Sequence, residues 1–247
     1  MIFFFLIAWV CYTLMQFIEA ASFGSRVAGK LTNRLSLGSS LQHTFFTISR
    51  LFLPPLLFSL SFMIESDLSI QLFLMIAFFL TISAFIASLV VFLNFNYFQL
   101  LFQKLFIRYQ DNSIPVAIFK VFLGKKITFN MVDMETIPKI KTLSIKKIFS
   151  AVVAYFFLTT SFLIAFSFAI LIPDYRMTMS QLTSIFQGVG ALILTMYIDP
   201  MIGRSLDTKL ENINWVNNIC SIFIGRLLSY LFASIIFLSL YLYTYSV

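Results

Sequence analysis

Long apolar stretches alternate with short polar ones along this chain, and their lengths predict its elements. An α-helix needs about 20 mostly apolar residues to cross the hydrocarbon core of a membrane. Six stretches meet this requirement, namely 2–22, 38–64, 68–93, 145–172, 179–199 and 217–243. The pattern predicts an all-α membrane protein, a polytopic bundle of about six transmembrane helices that forms a single domain over residues 1–247.

The longest interruption, residues 104–144, is basic and is predicted to be a cytoplasmic loop with short helices. Residues 95–109 lead into it and place Phe98, Leu101, Phe102 and Leu105 on one helical face. Such a face suits either a helix that lies on the membrane surface or an extension of the third span.

The composition excludes an ordinary soluble domain. Hydrophobic residues make up 60% of the chain and charged residues 11%, whereas soluble domains are about 45–50% apolar and about 25% charged. Cys11 and Cys220 fall inside apolar spans, where they are expected to be small buried hydrophobes and not a disulfide or a metal site. No basic residue precedes the first span, which predicts a retained helix and not a cleaved signal peptide.

The net charge of +7 is concentrated between the spans. Most Lys and Arg residues fall in the first, third and fifth connecting segments, which share one side of the membrane if six helices alternate. The opposite segments hold Glu65, Asp67, Asp174 and one base, Arg176. The positive-inside rule then places the basic segments in the cytoplasm and both termini outside, so the charge indicates membrane orientation and no nucleic acid partner.

Two arginines do not fit this bias because they lie inside predicted spans. Arg50 is near the middle of the second span, and Arg226 is in the cytoplasmic half of the sixth. An arginine at the centre of a membrane helix costs about 2.5–3.5 kcal/mol on insertion scales. Each arginine is either part of a buried ion pair or carbonyl contact, or part of a pathway for an anionic group. A guanidinium suits phosphate because its planar fork donates two parallel hydrogen bonds and stays charged.

Polar side chains accompany Arg50 on the second span. Gln42, His43 and Thr47 precede it and predict a polar face through the cytoplasmic half of that helix. His43 is interpreted as a hydrogen-bonded structural residue in preference to a proton carrier. Pro54-Pro55 follows, and two prolines predict a kink or a break.

Two carboxylates form a second pattern. Glu19 and Asp199 lie at the predicted cytoplasmic ends of the first and fifth spans, where a negative charge opposes the helix macrodipole. A nearby arginine is therefore expected to compensate each carboxylate. The two acids are either members of interfacial salt bridges or coupling sites for protons or cations.

The two ends of the chain also suggest a parallel internal repeat of spans one-two and five-six. Ile48-Ser49-Arg50-Leu51 matches Ile224-Gly225-Arg226-Leu227 at three of four positions. Arg50 follows Glu19 by 31 residues, and Arg226 follows Asp199 by 27 residues. Transporters are often built from such repeats with the binding site between them.

Motifs for common enzyme classes are missing from the sequence. It contains no phosphate-binding glycine loop followed by Lys-Ser/Thr, no His-Glu-x-x-His zinc motif and no Gly-x-Ser-x-Gly nucleophile elbow. The expectation is a protein that is not an enzyme, with no cofactor and no metal ion.

Two stretches resemble the Amj-type lipid II flippases. One is 20–29, which reads AASFGSRVAG and runs on to Ser49-Arg50 and the two prolines. The other is Gly188-Val189-Gly190, followed by Tyr197-Ile198-Asp199-Pro200. The resemblance covers both ends of the chain, and the central segment 65–180 contributes no motif to it.

The resemblance implies a flippase in the bacterial inner membrane that moves lipid II, the undecaprenyl-pyrophosphate-linked peptidoglycan precursor, to the outer face. Arg50 and Arg226 would bind the pyrophosphate, and Arg26 would contact it at the cytoplasmic entrance. Gln42 and Thr47 would belong to the polar wall, and Glu19 and Asp199 would be the ion-coupling candidates. The alternatives are a transporter of another lipid-linked glycan or organic anion, and a scaffold subunit of a cell-envelope complex.

Overall fold

A computed structural model describes residues 1–110, 112–123, 143–207 and 212–246. These residues are all-helical. The helices are α1 (Ile2–Leu31), α2 (Leu35–Ser49), α3 (Leu53–Glu65), α4 (Ile70–Leu93), α5 (Phe95–Tyr109), α6 (Ile114–Leu123), α7 (Ile145–Leu171), α8 (Arg176–Ile193), α9 (Asp199–Asp207) and α10 (Asn212–Ser246).

Six helical segments among the described residues are long and apolar enough to cross a membrane, which confirms the predicted multi-pass fold. They are Ile2–Leu31, Leu35–Glu65, Ile70–Leu93, Ile145–Leu171, Pro173–Ser205 and Trp215–Ser246. The first and fifth segments extend well beyond their predicted cytoplasmic ends. The hydropathy pattern missed these extensions because they carry charged residues, Arg26 and Lys30 in the first segment and Arg204 in the fifth.

The predicted break in the second span is confirmed. A short 3₁₀ segment, Arg50–Phe52, separates α2 from α3. Pro54 and Pro55 follow in the first turn of α3, where a residue without a backbone N–H is tolerated. Arg50 therefore lies at the point where the helix is interrupted.

Glycine allows α1 and α2 to approach closely. A Cβ atom added to Gly29 would lie 2.9 Å from the Cα atom of Gly38, and one added to Gly38 would lie 2.7 Å from the carbonyl oxygen of Ser25. The Ser25 hydroxyl also donates a hydrogen bond of 2.9 Å to the Gly38 carbonyl. Small residues at a membrane helix contact permit this separation, and the contact fixes α2 against α1.

The remaining helices are arranged around α1, α7 and α10. α10 packs against α4 and α7, α1 packs against α2, α3, α4 and α5, and α8 packs mainly against α7. Gly225 and Gly190 make the close contacts of α10 and α8 with α7. The flanks of the bundle are therefore α2 with α3 on one side and α8 with α9 on the other.

The amphipathic segment 95–109 is a separate helix and not an extension of the third span. Asn94 interrupts α4, and α5 then buries Phe102, Leu105 and Phe106 against α1 and α6. The first part of the predicted loop 104–144 is thus helical, and residues 124–142 lie outside the described part of the chain.

The internal repeat stays a prediction. α1 and α2 pack along each other, whereas α8 packs mainly on α7 and not on α10. The two hairpins therefore differ in how their own helices contact each other.

Candidate functional site

A cavity of about 550 Å³, lined by both apolar and polar side chains, lies between the candidate membrane-spanning helices. Its back consists of α1, α7 and α10, and its two sides are α2 and the segment from α8 to α9. The polar and charged side chains that line it are Glu19, Ser22, Arg26, Gln42, His43, Arg50, Tyr155, Ser184, Gln187, Thr195, Asp199 and Arg226.

Each side of the cavity packs against a helix that forms the back of the cavity. α2 is fixed to α1, and α8 is fixed to α7. Apolar side chains also line both sides of the cavity, namely Ala191 of α8, Leu194 of the turn that follows α8, and Phe46 of α2. The charged groups therefore lie inside a site whose flanks are apolar.

Glu19 is at the centre of the charged groups and is almost fully buried. Its Oε2 atom accepts a hydrogen bond of 2.9 Å from Nη2 of Arg226. Its Oε1 atom accepts one of 3.0 Å from the hydroxyl of Ser49 and lies 3.9 Å from Nη2 of Arg50. One carboxylate thus contacts both arginines that lie within the predicted spans.

Arg226 is 1% exposed and is held by a closed ring of hydrogen bonds. Its Nε atom donates to the Tyr230 hydroxyl at 2.8 Å, and its Nη2 atom donates to Oε1 of Gln16 at 2.8 Å. The Tyr230 hydroxyl donates to the same Gln16 oxygen at 2.5 Å. The guanidinium carbon also lies 5.0 Å from the centre of the Tyr155 ring, within cation–π distance. These contacts fix both the position and the orientation of the guanidinium.

Arg50 is held more loosely. Its side chain is 26% exposed, and its contact with Glu19 exceeds hydrogen-bond distance. The guanidinium carbon lies 4.5 Å from the centre of the Phe46 ring. Arg50 therefore rests on an aromatic face beside the cavity with only a weak ionic partner.

Arg26 and Asp199 form the second ion pair of the cavity. Nη2 of Arg26 donates a hydrogen bond of 3.0 Å to Oδ1 of Asp199, which connects α1 with the start of α9. Asp199 follows a π-helical turn over Leu194–Ile198, a distortion that is frequent at functional sites. Nε of Arg26 is buried and has no hydrogen-bond partner among the described residues.

Other groups in the wall offer neutral contacts. The Oε1 atom of Gln42 is buried and has no hydrogen-bond partner among the described residues. Ser184, Gln187 and Thr195 contribute polar side chains from α8 and the π-helical turn. A Cβ atom added to Gly188 would contact nothing within 4 Å, so the cavity has free space beside this residue.

The charges that line the cavity do not cancel. Arg26, Arg50 and Arg226 face the two carboxylates Glu19 and Asp199, which leaves one excess positive charge. An excess charge in a space enclosed by low-dielectric protein and lipid attracts counter-ions strongly. The arrangement therefore favours an anionic group over a neutral or cationic one.

The structure brings together six of the seven residues proposed from the sequence. Glu19, Arg26, Gln42, Arg50, Asp199 and Arg226 all line this cavity. Thr47 does not; its side chain is exposed, and its hydroxyl donates back to the His43 carbonyl at 2.9 Å. Their proposed roles in binding and coupling stay predictions.

Sequence reasoning missed Gln16 and Tyr230. Gln16 lies one turn before Glu19, and Tyr230 lies one turn after Arg226. These spacings place each residue on the same helical face as its charged neighbour. A search for polar residues one turn from a charge inside a span would therefore have found both.

The described residues contain no group of three or more His, Cys, Asp or Glu side chains that is arranged to hold a metal ion. The cavity offers contacts from arginine, amide and hydroxyl groups.

Comparison with known proteins identifies the family. A protein-family model described as "Amj: Alternate to MurJ" matches residues 12–244. No curated protein and no solved structure matches the chain. The match covers nearly the whole chain, including every residue that lines the cavity, and this multi-pass membrane protein therefore belongs to the Amj (Alternate to MurJ) family.

Proposed function

We propose that the protein is a lipid flippase that moves lipid II, the undecaprenyl-pyrophosphate-linked peptidoglycan precursor, across the bacterial inner membrane. The observation that carries the proposal is the cavity inside the membrane spans with three arginines and only two carboxylates. Family membership supports the same cargo.

A flippase must give a charged headgroup a polar path while the lipid tail stays in the bilayer. Arg50 and Arg226 offer guanidinium groups to the pyrophosphate, and Gln42 offers an amide to the sugar or peptide part. The apolar flanks formed by Phe46, Ala191 and Leu194 suit contact with the prenyl chain. The arrangement supports binding and movement, and it requires no bond of the cargo to be broken.

The proposed orientation follows from the charges at the two ends of the bundle. Lys30, Arg34 and Lys146 lie at the helix ends on the same side as the Arg26–Asp199 pair, and Glu65 and Asp67 lie at the opposite ends. The positive-inside rule favours a cytoplasmic position for the first side. The termini would then be outside, and Arg26 and Asp199 would lie at the cytoplasmic end of the cavity.

Net export requires a process that makes outward transport thermodynamically favourable. Consumption of the precursor at the outer face provides one, and an ion gradient provides another. Glu19 and Asp199 stay the candidates for ion coupling, because each carboxylate lies in the cavity and balances an arginine.

The proposal is tested with purified protein in vesicles that contain fluorescent lipid II, using an impermeant reductant to quench the label in the outer leaflet. The protein should let the reductant reach label that began in the inner leaflet. Arg50→Gln should slow this by about tenfold or more, because a charged hydrogen bond contributes about 1.5–3 kcal/mol.

The matched control is Arg176→Gln. Arg176 forms a 3.0 Å pair with Asp67 at the opposite end of the bundle and does not line the cavity. This variant should retain the rate of the unmodified protein. Vesicles with protein that move label no faster than empty vesicles would refute the proposal, and movement of another lipid-linked glycan but not lipid II would change the cargo.

A further inference from the structure

Glu19 contacts two arginines in a cavity that, on the proposed function, must also bind a pyrophosphate. Its Oε2 atom accepts from Arg226 at 2.9 Å, and its Oε1 atom lies 3.9 Å from Arg50. A phosphate group between the same two guanidinium groups would use the same donors. The carboxylate and the headgroup therefore cannot both have full access to these arginines.

The two arginines differ in their ability to leave Glu19. Arg226 is anchored independently by Gln16 and Tyr230, so its guanidinium stays in place whichever anion it faces. Among the described residues Arg50 has no comparable anchor, because its other contact there is the Phe46 ring and its side chain is 26% exposed. An exchange of anions is thus easier at Arg50.

Ser49 restrains the carboxylate from the same side. Its hydroxyl lies 3.0 Å from Oε1 of Glu19 and 2.7 Å from the Phe46 carbonyl oxygen, so these two acceptors share one proton, and Ser49 is fully buried at the end of α2. Glu19 is therefore held mainly by Arg226, with a further shared contact to Ser49, and Arg50 is the partner that can change.

We propose that Glu19 is an internal substitute for the phosphate of the cargo, a carboxylate that occupies Arg50 and Arg226 in the empty cavity and competes with the headgroup for Arg50. This inference rests on the proposed function and adds a role for Glu19 that requires no ion gradient.

The competition has two consequences for transport. In the empty state, Glu19 reduces the unfavourable burial of guanidinium groups without a counter-charge. In the loaded state, it offers Arg50 an alternative partner and so speeds release of the headgroup. A site that binds its cargo too tightly conducts slowly, and a built-in competitor prevents this.

The test measures binding of inorganic pyrophosphate to the purified full-length protein in lipid nanodiscs, alongside lipid II transport in vesicles. Glu19→Gln preserves the shape of the side chain and removes its charge. It should bind pyrophosphate about tenfold more tightly or better, because Arg50 then has no carboxylate competing with the pyrophosphate for its guanidinium group. Transport by this variant should fall because release becomes slow.

Asp199→Asn separates a local effect from a general change in charge. It removes the other carboxylate of the cavity, but Asp199 pairs with Arg26 and not with Arg50. The gain in pyrophosphate affinity should be clearly smaller than for Glu19→Gln. Equal gains would show that only net charge matters, and would overturn the assignment to Glu19.

Two further variants keep the test decisive if Glu19→Gln folds poorly. Glu19→Asp keeps the charge but shortens the side chain by one methylene, so it should also bind pyrophosphate more tightly than the unmodified protein. In an Arg50→Gln background, the gain from Glu19→Gln should shrink to less than about twofold, because the proposed competition acts through Arg50.

The outcomes distinguish this inference from the proposed function. Unchanged or weaker pyrophosphate binding by both Glu19 variants overturns the competitor role, even if lipid II is transported. Tighter binding together with no lipid II transport by the unmodified protein supports the competitor role and refutes the cargo.

Discussion

Two helices that line the cavity, α10 and α8, are supported very differently. In the most apolar stretch of the span that contains α10, 67% of the residues are buried. In the corresponding stretch of the span that contains α8, only 17% are buried. α10 lies between α4 and α7, whereas α8 packs mainly on α7. The cavity thus has a firmly packed back that carries Arg226 and a lightly packed side that carries Ser184 and Thr195.

Arg226 and Arg50 differ in the same way, one held firmly and the other loosely. Arg226 on α10 has three hydrogen bonds to buried partners, and Arg50 at the break between α2 and α3 has one distant ionic contact. Regions with few buried contacts open at lower free energy than the core. We therefore expect α8 to move during transport while α7 and α10 stay fixed.

The largest difference is expected between Arg226→Met and Arg50→Met. Loss of Arg226 leaves Glu19 buried with no close cationic partner, and removing one member of a buried pair costs about 3–5 kcal/mol. Loss of the partly exposed Arg50 should change the free energy of unfolding by no more than about 1 kcal/mol. Denaturant unfolding in detergent, followed by tryptophan fluorescence, measures both. Equal losses would remove the distinction between an anchored and a loose arginine.

The glycine contacts on α7 give the next largest effect. A Cβ atom at Gly225 would lie 2.5 Å from Cβ of Ala151, and one at Gly190 would lie 2.7 Å from the carbonyl oxygen of Ala154. Overpacking typically costs about 1–3 kcal/mol.

Gly225→Val should therefore lower the stability of the whole bundle, because α10 is central. Gly190→Val should displace α8 and expose it to protease while the other helices stay protected. Limited proteolysis with mass spectrometry distinguishes the two results, and global loss of protection in Gly190→Val would contradict the peripheral role of α8.

Tyr230→Phe tests the ring that anchors Arg226. The substitution keeps the aromatic volume and removes the hydroxyl that accepts from Arg226 and donates to Gln16. Leaving a buried polar group without its partner costs about 1–3 kcal/mol. Stability should drop by this amount, and pyrophosphate binding should weaken because Arg226 loses its fixed orientation. A fall in stability alone would restrict the ring to a structural role.

The smallest difference in transport rate is expected between variants of Thr47 and Gln42, two residues that were predicted from the sequence to line the same polar wall. Thr47→Ala should leave the lipid II transport rate unchanged, since its side chain is exposed and outside the cavity. Gln42→Leu should reduce the rate, because the Gln42 amide lines the cavity and its buried Oε1 has no hydrogen-bond partner among the described residues. Equal transport by both variants would exclude Gln42 from the path.

The sequence alone was sufficient to predict the membrane spans and to identify the charged residues whose burial in a membrane is energetically unfavourable. Apolar length alone predicted six spans, and the cost of burying charge identified Arg50 and Arg226. The choice of partners was not predictable, because Glu19 and Arg226 are 207 positions apart and meet only through the packing of α1 on α10. Hydropathy does not determine which helices are neighbours or how each is rotated.

Thr47 shows a second limit of prediction from sequence, which concerns the direction in which a helical face points. The spacing of His43 and Thr47 correctly puts them one turn apart, but the cavity contacts α2 through Gln42, His43 and Phe46. Thr47 is on the edge of that face. The direction of a polar face is thus set by neighbouring helices, and an error of a fraction of a turn moves a side chain out of the site.

The most direct test of the cavity as the lipid path uses Gly188 and Gly203. A Cβ atom added at either position would meet nothing within 4 Å, and of these two glycines Gly188 lines the cavity and Gly203 does not. Gly188→Phe should place a ring in the cavity and strongly reduce lipid II transport in vesicles without loss of folded protein, whereas Gly203→Phe should transport at the rate of the unmodified protein. Full transport by folded Gly188→Phe would contradict the account, because the headgroup would then cross the membrane by another route.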